Sequence, residues 1–406
     1  MNATGSEKER RFSRRRLTMG IGALAGVSLL SACGSDDSPD KPTPTTEPDV
    51  SPTATQEPIS TPVAGYLDAI KWKGRTLSIA TWGGDFEDAQ SEAFFKPFED
   101  ATGVQIELKT ADVERMKDQV KNQNVTWDLI TVPMENVLSL SRESYLTSID
   151  YKIVDRTPIF DEFALQHGVG VACYSTVMIY DPAHVTGPAG WQAFWNVTPP
   201  VEGEPLDPVQ ARTLSHSPVG TFEFALLADG VTVDSLYPLD IPRAFASLEN
   251  IRKNVLIWYE DGKQPVELVQ SGQAGMGSAW NVRINQFGDQ NALGMVWAGG
   301  MLSADAWVIP FGAPNTDVAM DFINFATRAM PSANFCRLVP FGPVNVDSID
   351  LIRDDRRPLI PTAPENKAIQ FVQNWNWWAD NIDAISNQFD AWLIEGPGEG
   401  TPEVTG

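Results

Sequence analysis

The spacing of apolar positions changes period repeatedly from residue 76 onward. The strand 76–81, ending in LSIAT (77–81), runs directly into FEDAQSEAFFKPFEDATG. There Phe86, Ala89, Ala93, Phe94 and Phe98 keep helical spacing, and Gly103 stands where a helix stops. Strand VQIEL (104–108), a polar helix over 112–123 and strand WDLITV (127–132) follow. Strand, helix, strand, helix, strand at these lengths predicts a parallel sheet with crossover helices.

A second block begins near Gly168, with a long strand over 169–182 able to pass between two bodies. Helices are expected at 221–228, at 242–254 with Phe245, Leu248 and Ile251 on one face, and at 264–271. Short strands are expected at 275–280, 294–298 and 304–310, then helices at 316–329, 331–338, 366–380 and 383–393. Residues 66–400 are too many for one ordinary core, so the pattern predicts an α/β chain in two lobes. Ligands of such sheets gather beyond the carboxyl ends of strands, where Trp82-Gly83-Gly84 and Pro133-Met134-Glu135 would sit. The two glycines after Trp82 either supply backbone freedom or leave room for something to approach.

The N-terminus changes the picture of where the chain works. Arg10, Arg11, Arg14, Arg15 and Arg16 precede an apolar run, Leu17 to Ala32, too short and glycine-rich to span a membrane, and then Cys33. The consecutive arginines resemble a twin-arginine export signal, and Leu30-Ser31-Ala32-Cys33-Gly34 is similar to a bacterial lipobox, which implies residues 1–32 as signal peptide and Cys33 as a lipid-modified first residue. Residues 34–64 hold seven prolines and almost no large apolar side chain, so 33–65 reads as an extended tether. Without residues 1–32 the chain carries 24 Lys and Arg against 51 Asp and Glu, a formal −27. That balance disfavours nucleic acid and anionic membrane surfaces as partners. Cys173 and Cys336 would then be the remaining thiols. An extracytoplasmic location permits their pairing, and folding before export argues against it.

Catalytic signatures are missing. His167, His184 and His216 are not spaced as metal ligands, and no G-x-S-x-G, H-E-x-x-H or Walker A pattern occurs. The glycine-rich run 272–277 precedes a strand instead of opening a helix after one, so a dinucleotide is not expected. No cofactor, metal or enzymatic activity is expected.

TWGG after the first strand, FALLADGV and LYPLDIPRAFASLENI within 224–251, GSAWNVRI (277–284), SADAWVIPFGAPN (303–315), VPFGPVN (339–345) and PTAPEN (361–366) resemble, in order, the spermidine/putrescine-type solute-binding proteins of bacterial ABC transporters. The resemblance implies the type II periplasmic-binding-protein fold, each lobe a mixed sheet flanked by helices, with a hinged cleft between. Lobe one would hold 66–168 plus 303–345 and lobe two 169–302 plus 346–400. It implies a monomer, held to the membrane through Cys33, that passes a small amine-bearing solute to an ABC permease. A subunit sensing the same solute for a membrane receptor would share these residues, and an extracytoplasmic enzyme on the same scaffold is the remote alternative. By position, Trp82 and Trp280 match the family's cleft aromatics, Phe341 falls where polyamine binders carry a tyrosine, and Asp305 matches an amine-gripping aspartate. Glu135 and Tyr174 join this candidate set.

Several positions depart from the polyamine pattern. Gly83 replaces an acidic or hydroxyl residue, Gly220-Thr221 opens a helix where a glutamate is usual, and Ser303 replaces an aromatic. Arg283 lies three residues after Trp280, on what is expected to be a loop facing the cleft. Gly83 and Gly84 at a helix N-terminus favour an anion, although Asp85 capping its own helix would use part of that capacity. Asp305 for an amine and Arg283 for a carboxylate suit a short zwitterion, such as 4-aminobutyrate or an opine-like solute, better than a polyamine.

Overall fold

A computed structural model describes residues 70–288 and 292–395, all within one compact unit, Glu57–Gly406. The basic N-terminal block, Cys33 and the proline-rich tether lie outside the described residues. Ten strands form one hydrogen-bonded sheet in the order β2-β1-β3-β9-β5-β8-β6-β7, with β10 on β9 and β4 on β5. They are β1 (Thr76–Thr81), β2 (Gln105–Thr110), β3 (Leu129–Pro133), β4 (Ala164–Leu165), β5 (Gly168–Tyr180), β6 (Arg212–Ser215), β7 (Val255–Tyr259), β8 (Met276–Trp280), β9 (Gly294–Val308) and β10 (Phe371–Val372). The helices are α1 (Gly84–Gln90), α2 (Lys96–Thr102), α3 (Val113–Lys121), α4 (Met134–Arg142), α5 (Trp191–Trp195), α6 (Pro218–Ala228) and α7 (Ile241–Ile251). Then come α8 (Gln264–Gln270), α9 (Asn281–Phe287), α10 (Thr316–Ala326), α11 (Ala329–Leu338), α12 (Pro364–Lys367) and α13 (Trp375–Glu395).

The expected parallel unit forms: β1 pairs in parallel with both β2 and β3. A π-helical turn, Ser91–Phe95, joins α1 to α2, and Gly103 closes α2 in the left-handed region at φ 73°. Local caps set the other starts. Asp112 accepts from the Arg115 amide at 3.0 Å, and Asp240 accepts from the Arg243 amide at 3.1 Å.

Two expectations fail for identifiable reasons. The strands predicted at 294–298 and 304–310 are one strand, β9. Gly299 and Gly300 read as a turn, but Gly299, at φ 71°, is an irregularity inside the strand, and its carbonyl accepts from the Trp191 indole at 2.8 Å. The helices predicted at 366–380 and 383–393 are replaced by α12, the two-residue β10 and the single helix α13. Phe371 and Val372 pair with Met301 and Leu302 on β9, and the Asn374 carboxamide then accepts from the Trp377 amide at 3.0 Å to start α13. α4, α5, β4, β6 and β7 are not predicted by the pattern, and the loop expected to carry Arg283 is the helix α9, which starts directly after Trp280 at the end of β8.

Three apolar clusters hold the sheet. The first gathers Leu77, Ile79, Phe94, Phe98, Ile130, Trp307 and Phe322. The second gathers Trp191, Phe222, Phe245, Phe389 and Trp392, and the third Val177, Ile179, Val266 and Ala279. β5 serves the first cluster through Val169 to Cys173 and the other two through Val177 to Ile179. β9 likewise divides between Met301 and Leu302. Ile349, Ile352, Ile360 and Ala363 pack in the first cluster, although the sequence reading places that stretch with the second lobe. Cys173 and Cys336 are both buried, free thiols.

Candidate functional site

The end of β1 delivers Trp82, whose side chain belongs to none of the three apolar clusters: it is 41% exposed. Gly83 and Gly84 follow at φ 78° and 60°, a backbone that L side chains rarely adopt. A Cβ built on either would meet nothing within 4 Å. Backbone freedom, not close packing within the chain, is what the glycines supply, and they leave a bare edge facing open space. Gly83 caps α1 without any side-chain cap. Asp85 does not cap its own helix; it accepts instead from the Gln286 Nε2 of α9 at 2.8 Å.

The sheet order then brings two distant carboxyl groups into one place. Antiparallel pairing sets Asp305 on β9 opposite Pro133 on β3 and beside Ala172 on β5. Glu135 lies two residues past Pro133, in the first turn of α4. Asp305 is only 8% exposed, and the Trp82 side chain is the one hydrogen-bonding group acting on its carboxyl among the described residues. Burial pushes the Asp305 carboxyl up to about 8, the neighbouring Glu135 charge adds to the rise, and the Trp82 bond opposes it. Burial also raises Glu135, whose Oε2 is buried with no hydrogen-bond partner among the described residues. The Tyr174 phenol is pushed far up by burial, then by the charges of Glu135 and Asp305. Among the described residues no lysine or arginine acts on either carboxyl.

Aromatic rings border this acidic floor. Tyr174 meets Trp280 edge-on at 5.8 Å and Phe341 at 6.4 Å. Phe341 in turn meets Phe86 of α1 at 5.3 Å. Phe86 is a wall the sequence reading missed. The sequence shows Phe86 only as the first residue of an apolar helix face, and its contact with Phe341 depends on packing between distant segments. Trp280, at the end of β8, is 36% exposed and lies over Gly262, where an added Cβ would come within 3.3 Å of the indole. Trp127, Trp307 and Trp378, by contrast, are fully buried. The Arg283 guanidinium stands 5.7 Å from the rings of both Trp280 and Phe287. It donates to Gln286 Oε1 at 2.7 Å and forms no ion pair among the described residues. A chain of contacts, Arg283 to Gln286 to Asp85, therefore links α9 to α1.

Two of the positions that departed from the polyamine pattern, Ser303 and Gly220, make contacts within the fold. Ser303 is buried and donates to Gln373 Oε1 at 2.8 Å. Gly220, at φ 80°, is a kink inside α6, and its amide donates to Glu223 Oε2 at 2.9 Å. Glu223 also accepts from the Tyr237 hydroxyl and, at 2.7 Å, from the Trp378 indole. That buried carboxyl has three donors; among the described residues Asp305 has the Trp82 side chain alone, and Glu135 Oε2 has no partner. Two acceptor-rich groups out of water and without a counter-charge favour a cation, and flanking indole faces favour an ammonium by about 0.5–2 kcal/mol.

Comparison with known proteins agrees with this description. The bacterial extracellular solute-binding protein family matches residues 93–368. The gamma-aminobutyric acid-binding protein of Pseudomonas aeruginosa is 29% identical over 337 residues, covering 80% of this chain and 93% of that protein. The spermidine/putrescine-binding periplasmic protein of Escherichia coli is 24% identical over 219 residues, 52% of this chain and 56% of the relative. A solved GABA receptor superposes with a TM-score of 0.71 at 30% identity, across 80% of this chain and all of that one.

Proposed function

This chain belongs to the bacterial extracellular solute-binding protein family, and from that premise we propose that it captures a small amine-bearing solute on the Asp305–Glu135 floor and delivers it to an ABC permease. Membership places its work outside the cytoplasm. The observation that carries the amine is a pair of buried carboxyls, Asp305 beside exposed Trp82 and Glu135 with its Oε2 unpartnered, on which no lysine or arginine acts among the described residues. Trp82 and Trp280 would flank the solute's methylenes, with Tyr174 and Phe341 behind them. The crossing strands β5 and β9 would serve as the hinge between a lobe built on the first core and one built on the second and third. Cys33 would carry the lipid that holds the domain at the membrane.

We read the solute as a short zwitterion. Arg283 has no acidic partner among the described residues, and its guanidinium already rests on the Trp280 ring. A relative that binds gamma-aminobutyric acid by name supports a carboxylate in addition to the amine. Isothermal titration with 4-aminobutyrate, putrescine and spermidine tests this reading. Tighter binding of 4-aminobutyrate is expected, with Arg283→Ala costing it at least about tenfold and leaving putrescine unaffected or tighter. Submicromolar spermidine binding with no response to 4-aminobutyrate would refute the zwitterion and restore a polyamine.

A further inference from the structure

The short helix α9 is fastened at both ends. At its start the fully buried Asn281 accepts from the Ser175 amide of β5 at 2.8 Å and donates to the Pro340 carbonyl at 2.9 Å, next to Phe341. At its end Gln286 Nε2 donates to Asp85 in the first turn of α1 at 2.8 Å, and Gln286 Oε1 accepts from Arg283 at 2.7 Å. α9 packs into the third apolar cluster through Ile284, and α1 into the first through Ala89. The Gln286 amide is therefore used on both sides. A carboxylate only accepts and a guanidinium only donates, so Asp85 takes the amino side and Arg283 the carbonyl side. An exposed hydrogen bond of this kind contributes little to folding, because water replaces it readily. Between two bodies that move, however, a contact made only when they are together shifts the equilibrium towards closure.

We propose that Gln286 is the positioning residue that couples closure of the two lobes to presentation of Arg283 to the solute's carboxylate. The assignment rests on the two-lobe, zwitterion reading above and adds a residue to it. α9 acts as a strut rooted on the crossing strand β5, and its Gln286 tip catches Asp85 beside Gly83 and Gly84, whose bare backbone leaves the approach open. A neutral amide holds Arg283 where a carboxylate would neutralise it, so the guanidinium keeps its charge for the solute. The rings of Trp280 and Phe287, each 5.7 Å away, and the bare Gly262, where an added Cβ would stand 3.6 Å from the Arg283 Cγ, set the shelf on which the side chain lies.

A double-mutant cycle tests the coupling, with 4-aminobutyrate as the probe in isothermal titration of the full chain. Gln286→Glu sets a second carboxylate against Asp85 and should weaken binding at least about tenfold. Asp85→Asn leaves an acceptor for Gln286 and should weaken binding by about threefold at most, a charged acceptor having become a neutral one. In the Gln286→Glu background the same Asp85→Asn change should instead strengthen binding at least about threefold, because its amide then donates to the new carboxylate. A merely structural role for either residue would not reverse the sign. An equal effect of Asp85→Asn in both backgrounds would overturn the coupling. A second measurement needs no solute. In a Cys33→Ala chain, whose remaining thiols Cys173 and Cys336 are buried, the pair Asp85→Cys, Gln286→Cys should be bridged within one molecule by a short bis-methanethiosulfonate reagent. Absence of that bridge would overturn the meeting of α1 and α9. Failure of the wild type to bind 4-aminobutyrate, with the bridge formed, would sink the solute assignment and with it the role of Arg283, while upholding Gln286 as the tie between the lobes.

Discussion

Replacing Asp305 by asparagine should make the solute-free protein more stable while destroying amine capture. The carboxyl is 8% exposed, and its folded titration lies at about 8 against an ordinary value of 3.8. A folded value above the unfolded one means that its contribution is fully favourable below about pH 4 and is progressively lost as pH rises towards 8. At pH 7 the native state must keep a proton the unfolded chain has shed, which costs about 4 kcal/mol. Asparagine has the shape of the neutral acid and keeps an acceptor for the Trp82 indole, so the variant escapes that cost. With an unfolding entropy of about 0.7 kcal/mol/K for a domain of this length, the gain corresponds to ~6 °C in Tm. Differential scanning calorimetry of both proteins between pH 4 and 8 is the assay. The Tm difference should be near zero at pH 4 and grow steadily towards pH 8, while titration of the variant with 4-aminobutyrate shows binding lost. A difference independent of pH, or a variant less stable than the wild type at pH 8, would refute the placing of Asp305 as a buried carboxyl without a counter-charge.

Other outcomes follow from the same geometry. Trp82→Ala removes an exposed indole wall beside Asp305; affinity for 4-aminobutyrate should fall by roughly 1–3 kcal/mol with folding intact, and the wild-type intrinsic fluorescence should change on binding. Unchanged affinity and emission would remove Trp82 from the site. Cys33→Ala should release the protein from the membrane fraction in cell fractionation, and its retention there would refute lipidation.

The sequence by itself determined what is encoded locally. Periods of two and 3.6 placed β1, the helix run from Phe86 to Gly103 and the long strand β5. Glycine and capping residues closed or opened them, as Gly103 closes α2 and Asp240 opens α7. The end-of-strand position of Trp82 was legible for the same reason, and so was the candidacy of Asp305, a charge within an apolar run. What the tertiary structure decided depends on which strands lie side by side, a matter of packing between residues far apart in the chain. β9 lies between β3 and β5, so Asp305 comes opposite Pro133, two residues before Glu135, and beside β5, and it is burial there that raises its carboxyl. The same packing turned Gly299-Gly300 from an apparent turn into an irregular point of a continuous strand and drew Phe371-Val372 out of a predicted helix onto its edge. It buried Ser303 and Glu223 in satisfied hydrogen bonds and led Asp85 to Gln286, 201 residues away, instead of to its own helix. Local periodicity carries no record of such meetings, because the energy that fixes them is the burial of two surfaces that only the finished sheet brings into contact.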